Sequence, residues 1–342
     1  MSSAAPSPSP SPSHGKALKY LFPGWYAVVM CLAGLSLAWQ RAVPVMDAAA
    51  GATALAIAIT AAVVFVALTI AAVLRAQRHP EAWVEDLQHP VRHTFAATLP
   101  VALILLATCA VAAGLRGPLV EALWWVGSLT QLFVTVWVLS RWWRGNQSGG
   151  LQWASVTPAL YIPIVGNVLV PLAGVPLGQP EWAAAQFGIG LLFWPAVTAL
   201  LVVRIAVQGM WPERLLPASF IFIAPPAAVG LSALQFGAPT LMGWGLWGMA
   251  LFSLFWVAPL TRRIASQPFG IAHWGMTFPL AAFAALTLRL APSGPLSVVG
   301  ITLLALTSLL VAALLLATAR GLRDGRLLAP ESTAAIAPVS AA

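Results

Sequence analysis

The most distinctive chemistry in the chain belongs to Thr277, Phe278 and Pro279, which stand side by side in the apolar stretch HWGMTFPLAAFAALTLRL. Pro279 has no N–H group and its ring crowds the preceding turn, so the sequence predicts a bend there with Phe278 beside it. In hydrocarbon, a freed backbone group is tolerated only where other helices or a water-filled cavity can satisfy it. We therefore expect the bend to face inward and to line a pore.

The middle of the apolar stretches contains no charged residue. Glu121 and Arg289 lie near the ends of their stretches. Ion-coupled transporters usually keep a carboxylate, His or Lys inside the membrane. The chain also has no HExxH, no Walker loop and no nucleophile with a nearby base. Cys31 and Cys109 lie in apolar stretches without metal-ligand spacing, which predicts buried thiols. We expect no enzyme activity, no metal and no cofactor.

Composition places these residues in a membrane. The chain is 60% hydrophobic and 8% charged, whereas soluble domains have roughly 45 to 50% apolar and about 25% charged residues. The formal charge of +8 comes from single basic residues between apolar stretches and not from a dense patch. This pattern predicts an all-α, multi-pass membrane protein in contact with the lipid bilayer, and no nucleic-acid partner.

Windows of about 20 apolar residues predict ten transmembrane spans. They cover residues 23–39, 52–73, 95–115, 119–140, 156–175, 184–207, 216–236, 240–260, 271–290 and 296–319. With both termini cytoplasmic, three of the 17 Lys and Arg residues lie outside, namely Arg41, Arg116 and Arg289, and the other 14 lie inside. The predicted domains are a disordered, Ser/Pro-rich cytoplasmic tail (1–19), a membrane domain (20–322) and a second cytoplasmic tail (323–342). The polar linker 77–93 is predicted to be a cytoplasmic loop with a short surface helix.

Prolines are concentrated in the odd-numbered spans. Among the even-numbered spans, only the sixth has a proline well inside, Pro195. Kinked helices suit a packed or solvated interior, whereas straight Leu-rich and Ala-rich helices suit a lipid-facing ring. The pattern favours five hairpins, each with one inner and one outer helix around a central conduit. A plain bundle with scattered prolines is the alternative, because prolines are common in membrane helices.

The inner spans offer hydroxyl, amide and aromatic side chains without charge. A neutral pore edged by weak donors, helix breaks and an aromatic constriction can pass a weakly hydrated anion, with help from helix dipoles and a basic cytoplasmic mouth. Kinks alone do not select anions, because the carbonyl groups they expose suit cations. The anion preference therefore depends on the family resemblance.

The motifs together resemble the tellurite-resistance/dicarboxylate transporter family, which includes bacterial TehA and the plant slow anion channels. The matching pieces occur in the family's order and cover most of residues 20–320: FPGWYAVVMCLAGLSLAW, HPVRHTF, YIPIVGNVLVPLAG, PERLLPASFIFIAPPA and WGMTFPLAAFAALTL. The resemblance implies ten helices in five hairpins, a quasi-fivefold inner ring of odd-numbered helices, and an outer ring of even-numbered helices. It also implies a homotrimer with one pore per subunit, plugged by a phenylalanine in the ninth helix, which is Phe278 here.

Several further residues are candidates for the pore. The predicted lining residues are Phe22, Phe95, Thr98, Pro100, Pro163, Asn167, Phe222, Pro226, Thr277 and Pro279. Each phenylalanine could instead pack in the core, and Asn167 could instead hydrogen-bond a neighbouring helix. His273, one turn before Phe278, is a candidate for tuning the gate with pH.

The predicted function is an anion channel or facilitated anion transporter in a bacterial cytoplasmic membrane, with small inorganic or organic anions as substrates. The alternative is a proton-coupled carrier for dicarboxylates, sulfite or tellurite-related oxyanions. A protein of another class, a non-transporting scaffold or sensor, would show no flux even without the gate.

Overall fold

The computed structural model describes residues 17–145, 147 and 149–329. All regular elements within these ranges are helical, which confirms the all-α prediction for this part of the chain. Most of the predicted N-terminal tail, residues 1–16, and the end of the predicted C-terminal tail, residues 330–342, lie outside the described residues. Residues Leu18–Tyr20, just before the membrane domain, form one 3₁₀ turn.

The described chain contains thirteen α-helices, joined by turns and short 3₁₀ helices. They are α1 (Ala27–Arg41), α2 (Val43–Arg78), α3 (Pro80–Gln88), α4 (Thr98–Ala112), α5 (Pro118–Ser140), α6 (Tyr161–Leu169), α7 (Pro171–Gly174), α8 (Pro180–Gln208), α9 (Ala224–Gln235), α10 (Thr240–Val257), α11 (Thr261–Ala265), α12 (Thr277–Leu290) and α13 (Pro295–Arg323). The short helix α3 occupies the linker in which the sequence predicted a surface helix.

Eight helical segments among the described residues are long and apolar enough to cross a membrane, so the protein is an integral multi-pass membrane protein. They are Val43–Arg78, Arg92–Ala112, Pro118–Arg144, Pro180–Gln208, Glu213–Gln235, Thr240–Ala265, Ile271–Leu290 and Pro295–Arg323. The first and fifth predicted spans correspond to α1, with 15 residues, and to the shorter apolar segment Pro158–Gly174. The ten-span count therefore stays a prediction.

Five segments change from a 3₁₀ helix to an α-helix along their length, and we call them the two-part segments. The 3₁₀ parts are Pro23–Tyr26 before α1, Arg92–Ala97 before α4, Pro158–Leu160 before α6, Glu213–Ile223 before α9 and Ile271–Met276 before α12. The 11-residue stretch Glu213–Ile223 is unusual, because 3₁₀ runs longer than about four residues are uncommon. A 3₁₀ stretch within a longer helical segment often marks a functional hinge.

Proline is the third α-helical residue in four of the two-part segments: Pro100, Pro163, Pro226 and Pro279. The sequence placed a bend at Pro279, inside one continuous helix. The structure instead places Pro279 in the first turn of α12, and the change of helix type comes one turn earlier. Backbone N–H groups in a first turn have no partner within their own α-helix, and the fixed φ of proline suits that position. The proline therefore starts the α-helical part and does not kink it.

The two-part segments occupy the interior. In the most apolar stretch of Glu213–Gln235, 83% of the residues are buried, against 6% in α2. The α-helices of these segments contact one another in a cycle, α1 with α4, α4 with α6, α6 with α9, α9 with α12, and α12 with α1. Each also packs against a longer helix that follows it, giving the pairs α1 with α2, α4 with α5, α6 with α8, α9 with α10, and α12 with α13.

Candidate functional site

A cavity of about 250 Å³ lies among the two-part segments, and its lining draws on all five of them. The lining residues furthest along each segment define what we call the inner end of the cavity: Cys31, Val101, Leu169, Ala224 and Pro279. The lining residues at the segment starts define its opposite end, where three side chains can carry positive charge. These are His89, Arg92 and Arg214, and we call this end the basic mouth.

Phe278 lies at the inner end, beside Pro279, with 8% of its surface exposed. The ring packs against Gly34 of the neighbouring helix α1. A Cβ atom added to Gly34 would lie 2.8 Å from Cδ2 of Phe278, so the absence of a side chain at Gly34 makes room for the ring. Pro279 has no N–H to donate to the carbonyl of Gly275, four residues earlier, and Gly275 also lines the cavity.

Nearer the mouth, two other predicted rings line the cavity together. The centroids of Phe22 and Phe95 lie 5.7 Å apart in a T-shaped arrangement, and the guanidinium carbon of Arg92 lies 5.9 Å from the centroid of Phe22. Thr98 also lines the cavity, and its hydroxyl oxygen lies 2.7 Å from the carbonyl oxygens of Pro23 and Phe95. This hydroxyl joins α4 to the first two-part segment.

The charges of the mouth are one-sided. No Asp or Glu is among the described residues that line the cavity. Asp86, in α3 nearby, accepts hydrogen bonds from Arg75 at 2.6 Å and from Arg92 at 3.1 Å. Glu213, next to Arg214 in the chain, forms an ion pair with Arg263. The charged side chains that line the cavity within the described residues are therefore basic, which favours anions.

The helix dipoles also place partial positive charge at this end. All five two-part segments begin at the mouth, since their first residues or the loops before them line it. The amino end of a helix carries a partial positive charge. The dipoles therefore add to the attraction for anions.

The other predicted lining residues are buried outside the cavity wall: Pro100, Pro163, Asn167, Phe222, Pro226 and Thr277. The amide nitrogen of Asn167 donates to the hydroxyl of Thr135 in α5 at 2.8 Å, which is the neighbouring-helix alternative. The hydroxyl of Thr277 donates to the carbonyl of Trp274 at 2.9 Å. The role of these six residues in a pore stays a prediction.

Phe222 lies in an aromatic cluster behind the wall. Its ring centroid is 5.5 Å from that of Tyr161 and 5.1 Å from that of Trp256 in α10. His273 is buried and is not among the residues that line the cavity. Its Nδ1 lies 3.1 Å from the carbonyl oxygen of Gly270. Its ring centroid lies 5.5 Å from that of Phe269.

Gly34, Arg92 and Arg214 contribute to the site but were not among the predicted site residues, whereas Thr157 was predicted only as one of the hydroxyls of the inner spans. Arg92 and Arg214 were counted only as cytoplasmic charges, although both stand directly before an odd-numbered span. Within the described residues, no group of three or more His, Cys, Asp and Glu could hold a metal ion.

An interior cavity with a basic mouth, within a multi-pass membrane protein, is the arrangement expected of an anion channel or transporter. A family model described as SLAC1, voltage-dependent anion channel, matches residues 20–319, so the chain belongs to this family. This agrees with the expectation that the protein is not an enzyme.

Three similar proteins support the assignment to anion channels and transporters. The S-type anion channel SLAH2 of Arabidopsis thaliana is 27% identical over 61% of this chain and 40% of its own length, so the match spans less than half of that protein. The tellurite resistance protein TehA homolog of Haemophilus influenzae is 25% identical over 76% of this chain and 78% of its own length. An uncharacterized transporter of Methanocaldococcus jannaschii, MJ0576, is 24% identical over 78% of this chain.

Proposed function

We propose that this protein is an anion channel whose conduit runs through the ring of two-part segments and is closed by Phe278. The five pairs of packed helices are five hairpins, with the two-part segments inside and their partners outside. The basic mouth faces the cytoplasm, as the distribution of Lys and Arg predicts. The observation that carries the anion assignment is that the charged groups lining the cavity are all basic.

The proposed gate is a steric one. The ring of Phe278 lies at the inner end of an otherwise mostly apolar cavity, next to the change of helix type at Met276 and Thr277. A small rotation at that junction moves the ring relative to Gly34, because the α-helical part starts there. Passage then depends on the position of one ring and needs no charged group in the constriction, where an unpaired charge would be costly.

The test is reconstitution of the wild type and of Phe278→Ala in planar bilayers, recorded with chloride, nitrate and malate. Phe252→Ala is the matched control, because Phe252 lies on α10 with 66% of its surface exposed. We expect Phe278→Ala to raise anion conductance by about tenfold or more, which corresponds to about 1.4 kcal/mol of lost blocking energy. Phe252→Ala should leave conductance unchanged.

Negligible current in both the wild type and Phe278→Ala would reject the gate. A channel also predicts that current reverses at the anion equilibrium potential. A pH-driven accumulation of malate or sulfite, with saturation, would instead support the proton-coupled carrier. The homotrimer, with one conduit per subunit, is part of the same proposal and is tested by the mass of the purified complex in detergent.

A further inference from the structure

Two arginines lie at the end of the ring of two-part segments opposite the basic mouth, which we call the far end. Arg41 is the last residue of α1 and Arg289 is the last but one of α12, and the two helices pack together. A Cβ atom at Gly34 would lie 3.8 Å from Cβ of Ala281, so these two positions are at one level. Arg41 follows Gly34 by seven residues and Arg289 follows Ala281 by eight. Because a helix rises about 1.5 Å per residue, the two arginines also lie at nearly the same level.

Both arginines lie on the faces of their helices that point to the cavity. An α-helix returns to nearly the same direction after about 7, 11 and 14 residues. Arg41 comes fourteen residues after Ala27, and Arg289 comes eleven residues after Phe278, and both Ala27 and Phe278 line the cavity. The sequences of α1 and α12 contain no other charged residue. The proposed conduit therefore leads from the basic mouth, past the ring of Phe278 and uncharged helical turns, to a second pair of positive charges.

Neither of these two arginines has a counter-charge. Arg41 is half-buried and Arg289 is exposed, and within the described part of the chain neither side chain donates a hydrogen bond or forms an ion pair. The buried Arg204, by contrast, donates to the carbonyls of Trp153 and Gly209. The charge that acts on Arg41 is that of Arg289, so the two side chains repel each other. An anion between two guanidinium groups would offset this repulsion.

We infer that Arg41 and Arg289 form a second anion-binding site, at the far end of the conduit, and that its ligand is a divalent oxyanion such as sulfate. The planar fork of each guanidinium matches two oxygens of an oxyanion. A dianion balances both positive charges, whereas a monovalent anion leaves one unbalanced. This inference rests on the proposed function, which supplies the conduit and places the far end outside the cell.

A dianion bound at the far end would obstruct the conduit. The exposed position of Arg289 lets the ion keep part of its hydration there. The uncharged turns between this site and Phe278 offer no such replacement for water, and the cost of dehydrating an ion rises steeply with its charge. The dianion therefore stays at the far end and blocks the passage of monovalent anions.

The first test measures binding directly and does not require the gate to open. Purified protein in detergent is titrated with radioactive sulfate in a scintillation proximity assay, at constant ionic strength balanced with gluconate. Arg41→Gln and Arg289→Gln each remove one charge and its donors, and each should raise the half-saturating sulfate concentration about tenfold. Arg116→Gln is the matched control, because Arg116 is an exposed arginine outside α1 and α12, and it should bind sulfate like the wild type.

Stability in the absence of sulfate distinguishes a ligand site from a structural role. Arg41→Gln removes one of two charges that repel each other, so in gluconate its melting temperature should equal or exceed that of the wild type. A clearly lower melting temperature would show that Arg41 stabilises the fold, and it would overturn the inference.

A lipid headgroup is the other source of an oxyanion for two arginines near a membrane surface. Sulfate binding is therefore compared in nanodiscs of phosphatidylcholine and of phosphatidylglycerol. Equal binding in both supports a soluble dianion as the ligand. Loss of sulfate binding in phosphatidylglycerol would show that the arginines hold a lipid phosphate, and it would overturn the assignment.

Electrical recording tests the obstruction and separates this inference from the proposed function. In single Phe278→Ala channels, sulfate should reduce the nitrate current from one side of the bilayer only, and Arg289→Gln should weaken this block about tenfold. If the wild type binds no sulfate, or if both Gln variants bind it like the wild type, the site is wrong even when Phe278→Ala conducts. If sulfate binding depends on both arginines but Phe278→Ala carries no current, the site stands and the gate is wrong.

Discussion

Gly34 leaves no space for a methyl group beside the proposed gate. A Cβ atom at this position would lie 2.8 Å from Cδ2 and 3.3 Å from Cε2 of Phe278, and 3.8 Å from Cβ of Ala281. Carbon atoms in good contact are about 3.5 to 4.0 Å apart, so the ring of Phe278 would have to move by roughly 0.7 Å. The substitution Gly34→Ala therefore acts on the position of the ring that we propose as the gate.

The cost of such overpacking is typically about 1 to 3 kcal/mol. If this cost falls on the closed position, the ratio of open to closed protein rises by about 5-fold to 140-fold, because about 1.4 kcal/mol changes a population ratio tenfold. We expect Gly34→Ala to raise anion flux from proteoliposomes, up to the level of Phe278→Ala. The measurement is chloride and nitrate efflux from vesicles that contain equal amounts of each variant.

A double-mutant cycle makes the test specific. In the Phe278→Ala background the ring is gone, so Gly34→Ala should have no further effect on flux. Gly188→Ala is the matched control, because a Cβ atom there meets nothing within 4 Å. An equal effect of Gly34→Ala in both backgrounds, or unchanged flux in a well-folded Gly34→Ala protein, would refute the contact between Gly34 and the gate.

Two further predictions concern the elements that hold the cavity. Asp86→Asn leaves Arg75 buried without its counter-charge, so it should lower the free energy of unfolding by about 3 to 5 kcal/mol; an unchanged melting temperature in detergent would contradict this. Val29 is the third α-helical residue of α1, where the other two-part segments have proline. Val29→Pro should therefore lower the free energy of unfolding only slightly. Ala33→Pro, deeper in α1, should lower it by about 3 kcal/mol or more. Equal losses in thermal stability would disprove the equivalence of the segments.

The sequence predicted the apolar segments and the interior position of those rich in proline, because hydrophobicity and the missing N–H of proline are local properties. It did not predict the 3₁₀ parts before the prolines. The choice between 3₁₀ and α geometry over Glu213–Ile223 depends on packing against neighbouring segments, which propensity does not record. For the same reason, the sequence predicted a bend at Pro279, whereas the structure shows a change of helix type one turn earlier.

The contacts of the site were harder to predict than its segments. The cavity is lined by Phe22, Phe95 and Phe278. Phe222 also lies in an apolar stretch of the sequence, but its ring packs against Tyr161 and Trp256. Which face of a segment a ring lies on depends on its packing against neighbouring segments, and the sequence pattern does not determine that packing. Gly34 likewise resembles any small residue in a membrane helix until the ring opposite it is known.

Charge and constriction are separated along the cavity, and this separation has a physical reason. An arginine beside Phe278 would lie in a narrow, mostly apolar space, where an unpaired guanidinium is costly and an anion would be held too tightly to leave. At the mouth, Arg92 keeps Asp86 as a partner and can still attract anions. In the proposed channel, the mouth therefore sets how many anions enter, and the ring of Phe278 sets whether they pass. Arg92 and Phe278 lie at opposite ends of the cavity, so we expect substitutions at the two positions to change different quantities, occupancy and conductance.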